Sequence, residues 1–148
     1  MSSFHLHVKS TLDYQVKQLA LSGGLTYIDL DGDPINAELM QNDDNALAWS
    51  LIGLSEAPRD PMYSVEFEVG GKTVLDPARY QSLDIAGLVQ SVFSAGKSIQ
   101  IMDYSGASMP TVTTGVLVIT GVSVVPQQTD RTVGLRLVAI SGRVVKYA

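Results

Sequence analysis

The sequence predicts an α+β fold, an antiparallel or mixed β-sheet with a long C-terminal hairpin, covered by two α-helices. Three observations predict it. Thr111 to Tyr147 is two long β-patterned runs of Val, Leu and Ile, and Met62 to Val69 alternates cleanly between apolar and polar residues. Two further segments carry apolar residues at helical spacing. Strands gathered in hairpins, with two helices to cover one face, favour an antiparallel or mixed sheet over a doubly wound one. A chain of 148 residues closes one sizeable core, so residues 1–148 are read as a single domain.

The elements follow in chain order. Phe4, Leu6 and Val8 alternate with Ser3, His5, His7 and Lys9, the period of a half-buried strand. Ser10 is placed as the N-cap of a short amphipathic helix, in which Leu12, Val16, Leu19 and Ala20 recur until Gly23-Gly24 ends the pattern. Leu25 to Leu30 is a second strand, closed by the turn formers Asp31-Gly32-Asp33-Pro34. Ile35 to Asn45 is weakly patterned. Ala46 to Leu54 is apolar almost throughout, and its shortness favours a buried strand over a helix. Ser55 to Pro61, with two prolines and mixed charge, reads as an exposed loop.

Met62 to Val69 puts Tyr63, Val65, Phe67 and Val69 on one face and Ser64, Glu66 and Glu68 on the other, and Gly70-Gly71 is expected to break this strand. The second helix has the strongest signals in the chain. Asp76 serves as N-cap, Pro77 as first helical residue, and Leu75 and Tyr80 as a hydrophobic staple. Its buried stripe is Ile85, Leu88, Val89, Val92 and Phe93, and Gly96 stops it, giving a helix over Pro77 to Ser94. Ser98 to Tyr104 is a short strand, Ser105 to Pro110 a loop and Thr113 to Val125 a long strand. Pro126 to Arg131 turns the chain, and Thr132 to Tyr147 returns with a bulge or bend at Ser141-Gly142.

Composition narrows the function. The formal net charge is −5, with Asp29, Asp31, Asp33, Asp43 and Asp44 in one third of the chain and no Lys or Arg between Lys17 and Arg59. Phosphate backbones require a clustered positive footprint, so direct nucleic-acid binding is not expected. The absence of Cys excludes disulfides and thiolate chemistry and fits an intracellular or assembled-particle protein. No signal or membrane-spanning segment is read, and the product is expected to be soluble. With 45% apolar and 17% charged residues the chain is light on charge, which points to apolar surface buried against partners.

The candidate chemical motifs are each incomplete. Asp29, Asp31 and Asp33 imitate the opening of a calcium loop, but Pro34 stands where Gly is needed and Met40 where the bidentate Glu belongs. His5 and His7 share one face of the expected first strand without a third ligand. Gly70-Gly71-Lys72-Thr73 resembles the end of a phosphate loop, yet Glu66 occupies the first glycine position and Val74-Leu75-Asp76-Pro77 delays the helix. No G-x-S-x-G is present and both histidines lie in the first seven residues, so a nucleophilic triad is not read. Glu66 and Glu68 read as solvated. The sequence therefore predicts no enzyme, no cofactor and no metal.

From Pro58 onward the wording resembles the tail terminator, or tail completion, proteins of tailed bacteriophages. The segments that carry the resemblance are Asp60-Pro61-Met62-Tyr63-Ser64-Val65-Glu66-Phe67-Glu68-Val69, Leu75-Asp76-Pro77 opening a helix, Ile101-Met102-Asp103-Tyr104-Ser105-Gly106, and Arg131 to Val145. The resemblance implies a virion structural protein, assembled in the host cytoplasm, at the head-proximal end of the tail. Its subunits would form a homo-oligomeric ring, commonly a hexamer, that stops polymerisation of the tail tube and helps join tail to head or neck. Implied partners are further copies of the chain, the tube and a sheath protein, and a head-neck connector. DNA would pass through the bore without specific binding, and no membrane is involved. Subunit or partner contacts are assigned to Glu56, Arg59, Asp60, Glu66, Glu68, Arg131 and Arg136, with Ser55 to Pro61 as a partner-contacting loop. Asp29, Asp31, Asp33, Asp43, Asp44, Glu66 and Glu68 are candidates for the bore or for a neighbour. Some of Val116, Val118, Val122, Val124, Leu135 and Leu137, or their opposite-face neighbours, are then expected to stay exposed in a monomer. Rival readings are another tail, neck or baseplate ring or tube subunit and, in a different class, a small-molecule binding domain or hydrolase.

Overall fold

The structure, a computed structural model, describes residues 4–29, 46–56, 62–73, 78–103, 112–129 and 134–147. It opens on a helix and not on the expected strand. Helix α1 spans Phe4–Gly23 and buries Phe4, Val8, Thr11, Leu12, Val16, Leu19 and Ala20. These positions form one continuous stripe at spacings of three and four, so the apparent alternation of Phe4, Leu6 and Val8 is the first turn of that stripe with Leu6 pointing outward, 55% exposed. Ser10 lies inside the helix and is not its N-cap. The C-terminus ends where expected. Gly24 takes φ +68°, Leu25 N–H donates to Ala20 O at 2.9 Å and Gly24 N–H to Leu21 O at 3.3 Å. This six-to-one bond with a left-handed glycine closes the helix and turns the chain into the sheet.

The sheet has six described strands, β1 (Thr26–Asp29), β2 (Ala46–Glu56), β3 (Met62–Thr73), β4 (Ser98–Met102), β5 (Thr113–Thr129) and β6 (Gly134–Lys146), with helix α2 (Ala78–Val92) between β3 and β4. Their spatial order is β1-β2-β3-β6-β5-β4. β1 runs parallel to β2 and every other pair is antiparallel. The fold is thus α+β with a mixed sheet, a long C-terminal hairpin β5–β6 and two helices.

Several boundaries differ from the sequence reading. β2 continues through Ser55 and Glu56, which are paired with Ser64 and Tyr63 rather than looped. β3 does not break at Gly70-Gly71 but runs on to Thr73, because the flexible pair is held by partners on both sides, Ala48 and Leu47 on β2 and Leu137 and Arg136 on β6. Lys72 and Thr73 therefore belong to a strand and not to a turn. β4 ends at Met102. β5 continues past Val125 to Thr129, so Pro126 to Thr129 is strand with a bulge between Pro126 and Gln128 and not the expected turn. The expected bulge at Ser141-Gly142 lies instead on the opposite strand, between Ile119 and Gly121. In α2, Ile85, Ala86 and Val89 are buried with Phe93 beyond its end, whereas Leu88 is 45% exposed. Asp76, Pro77, Leu75, Ser105 to Pro110 and the Asp31 to Pro34 turn lie outside the described residues.

One sheet face meets both helices. Leu47 and Trp49 on β2, Val65, Phe67 and Val69 on β3, Leu117 and Ile119 on β5, and Val138, Ile140 and Val144 on β6 form one core with the α1 and α2 stripes. Phe67 stands between Trp49, at 6.3 Å, and Phe93, at 5.2 Å, edge to face with both, so one aromatic column ties β2, β3 and the end of α2 together. Burying each such ring contributes about 1.5–3 kcal/mol. At Gly71 the helix comes close. A Cβ there would sit 2.5 Å from Ile85 Cγ2, so only glycine admits α2 at this distance.

α1 closes the sheet's curl. Lys9 Nζ donates to Asp29 Oδ1 on β1 at 2.8 Å, and two residues further on Thr11 Oγ1 bonds the Met102 carbonyl at 3.3 Å and accepts the Met102 amide at 3.0 Å. β1 and β4 are the opposite edges of the sheet, so one helical turn bridges both. The Thr11 hydroxyl occupies main-chain groups on β4 that would otherwise present an open edge.

Candidate functional site

The helix-free face of the sheet holds the candidate contact surface. Along β3, Ser64 and Glu66 are exposed and Glu68 half-buried, each on the face opposite the core. Their neighbours are small. Ser141 and Ala139 on β6 pair with Glu66 and Glu68, and Gly121 and Ser123 on β5 pair in turn with Ser141 and Ala139. Small side chains beside two carboxylates leave a shallow trough of about 490 Å³, whose lining includes Ile52, Glu66, Glu68, Gly121, Ser123 and Ser141. At its margins are two apolar side chains in water, Ile52, 53% exposed, and Val118, 38% exposed. Val116 and Leu137 are half-buried, and Val122 and Val124 pack partly against the core. The sequence reading included Val118 among the exposed valines. It missed Ile52, which the irregularity between Leu51 and Gly53 turns outward from a run that looked uniformly buried.

The edge of β5 is the second feature. β4 pairs with β5 only from Thr113 to Val118, and the Gly96–Lys97 turn extends that cover to Ile119 by two main-chain bonds of 2.7 and 2.9 Å. From Thr120 to Thr129 β5 is paired to β6, and among the described residues no strand lies on its other side. This stretch, Thr-Gly-Val-Ser-Val-Val-Pro-Gln-Gln-Thr, contains no charged residue. Edge strands are usually blunted by charge, brevity or cover. β4 has brevity and the Thr11 cap. Among the described residues the outer half of β5 has only Pro126 and its bulge.

The residues assigned to contacts from the sequence are brought together only in part. Glu66 and Glu68 share the trough. Glu56 ends β2 and Arg136 pairs with Gly71 and Pro126 on β6. Arg59, Asp60, Arg131, and the 57–61 part of the Ser55 to Pro61 segment, lie outside the described residues, as do Asp31, Asp33, Asp43 and Asp44. Asp29 is not on the trough face, since it pairs with Lys9 beneath α1.

The polar chemistry sits under α1. Trp49, fully buried, donates its indole N–H to Asp13 Oδ1 at 2.9 Å and to Tyr27 Oη at 3.0 Å, with the Lys9 ammonium 3.9 Å from the ring centre. Burial pushes the Asp13 carboxyl above its ordinary range, against the lowering pull of the Trp49 hydrogen bond and of Lys9. His5 and His7, expected side by side on a strand, are separated by the helix. His5 is exposed and meets Tyr63 edge to face at 5.7 Å, whereas His7 turns inward.

His7 stands between a carboxylate and a hydroxyl, with Nε2 3.5 Å from Asp103 Oδ1 and Nδ1 3.2 Å from Thr114 Oγ1. The set has the membership of a nucleophile triad. The Thr114 hydroxyl also lies 3.2 Å from the Ile101 carbonyl, so that carbonyl and His7 Nδ1 compete for its single proton. Among the described residues no group of three or more His, Asp or Glu side chains could hold a metal ion, and no helix is long and apolar enough to cross a membrane.

The sequence matches no protein-family model and no curated protein.

Proposed function

We propose that this protein is a virion structural subunit that assembles through its sheet into a tail-terminator ring. The observation that carries the reading is the outer edge of β5 from Thr120 to Thr129, long, uncharged and without a paired strand among the described residues. Such an edge is a template for another chain, and a head-to-tail contact repeated with rotational closure yields a ring and leaves no free template. Ile52 and Val118, exposed on the trough face, add apolar area to the same assembly.

In this reading the ring is a hexamer that caps the tail tube, meets a sheath protein and a head-neck connector, and lets DNA pass. Glu66 and Glu68, on the helix-free face, would repel phosphate and so keep the duplex from adhering to that surface. The subunit performs no catalysis. Lys9 and Thr11, two of the polar groups under α1, hold the helix to the two sheet edges.

Particles assembled without the protein test the reading. Tails of uncontrolled length, or heads and tails that fail to join, are expected; normal particles would refute it. Electron microscopy of the purified protein separates the nearest rival, since a terminator gives discrete rings and a tube subunit gives open-ended tubes.

A further inference from the structure

We propose that His7 is a proton-operated clasp that tightens α1 onto the β4–β5 end of the sheet, independently of what the protein assembles with. The Thr114 hydroxyl lies 3.2 Å from the Ile101 carbonyl and 3.2 Å from His7 Nδ1, and it has one proton to give. If it serves Ile101, His7 must donate from Nδ1, and its Nε2 then presents a bare lone pair to the Asp103 carboxylate 3.5 Å away. That nitrogen is buried and has no hydrogen-bond partner. If His7 instead carries its proton on Nε2, the hydroxyl must turn to Nδ1 and the Ile101 carbonyl loses its side-chain donor. Either neutral form leaves one bond unmade. The imidazolium makes both, and turns two opposed acceptors into a charge-assisted pair.

Among the described residues Asp103 faces the ring from the end of β4, and β5 contributes only the neutral Thr114. Within α1 the Phe4 ring meets His7 edge to face at 6.3 Å. The nearest cation from β6 is Lys146, whose ammonium lies 5.8 Å from the Phe4 ring centre, and His5 is turned to Tyr63. Position gives the clasp its consequence. His7 is one turn before Thr11, the residue that occupies the Met102 main chain at the sheet edge. Protonation at His7 therefore fastens the helical turn that covers that edge.

Thermal unfolding of the full chain and of H7Q and D103N, between about pH 8 and about pH 5.5, spans the range over which histidine changes charge. The midpoint of the wild type should rise against that of H7Q by about 2–4 °C on acidification. In D103N the gain should vanish, because an asparagine amide can donate to the neutral nitrogen at every pH. A wild-type to H7Q difference that stays constant with pH overturns the proposal. Nitrogen NMR of histidine-labelled wild type needs no variant to fold. It should show one protonated ring nitrogen on His7 at the upper pH and both protonated at the lower, and a His7 ring still neutral at the lower pH would equally overturn the account.

Discussion

Trp49 on β2 and Asp13 on α1 are joined by a 2.9 Å hydrogen bond from the indole nitrogen to Oδ1, with Tyr27 Oη as a second acceptor 3.0 Å away. One donor with two acceptors is a redundant arrangement. Removing either acceptor, as D13A or Y27F, leaves the buried N–H satisfied and should cost less than about 1 kcal/mol for the lost bond. Removing both orphans it. A double-mutant cycle by urea denaturation should give a coupling of about 1–3 kcal/mol, and additive singles would contradict the shared bond.

Asp13 also gives the protein a pH dependence of known sign. Its carboxyl is held above the ordinary range chiefly by burial, so the folded state favours the protonated form more than the unfolded chain does. The stabilising contribution is full below the unfolded value and is lost as pH rises through the folded one. D13N keeps an oxygen for Trp49 and has no charge to bury. Its midpoint relative to wild type should therefore climb between about pH 4 and pH 7, and a flat or falling difference in a thermal scan would contradict this.

Two glycines separate close approach from open space. At Gly71 an added Cβ meets Ile85 Cγ2 at 2.5 Å, a β-branched side chain on a helix with little freedom to move. G71A should destabilise by about 1–3 kcal/mol. At Gly87, on α2, an added Cβ meets nothing within 4 Å, and G87A should stabilise by up to about 1 kcal/mol through helix propensity. Denaturant midpoints of the two variants should move in opposite directions.

The carboxylates of the trough should matter to assembly function and not to folding. E66K and E68K change groups on the solvent face of β3, where substitutions stay within about 0.5 kcal/mol. Particles carrying both should release DNA more slowly if this face meets the duplex, and unchanged ejection would remove Glu66 and Glu68 from the bore.

The sequence was legible where a residue pattern had one physical explanation. Met62 to Val69 reads as a strand because no helix buries Tyr63, Val65, Phe67 and Val69 together, and Gly23-Gly24 reads as a stop because Gly24 supplies the left-handed residue. It misled where two periods coincide. Phe4, Leu6 and Val8 satisfy alternation, but Phe4 and Val8 also begin the stripe through Leu12 and Val16, and only packing decides between them. Gly70-Gly71 looked like a break because the space required by Ile85 is a property of another element. The trough and the β5 edge were invisible for the same reason, since β6 brings Ser141 and Ala139 to Glu66 and Glu68 from far along the chain. Val118 was foreseeable from the apolar residues on both faces of its strand, and Ile52 was not.

The most direct test of assembly through the sheet is the native mass of the purified full chain beside S123K. Ser123 is exposed on the β5 segment that carries no charge, and lysine there blunts the edge without entering the core. The wild type should run as a closed ring of several 15.8 kDa protomers, S123K should fall apart, and S64K, an equal charge on the inner strand β3, should remain assembled. A wild type that stays at 15.8 kDa would contradict the ring itself, whereas an S123K ring as stable as the wild type would contradict the β5 edge as its seam.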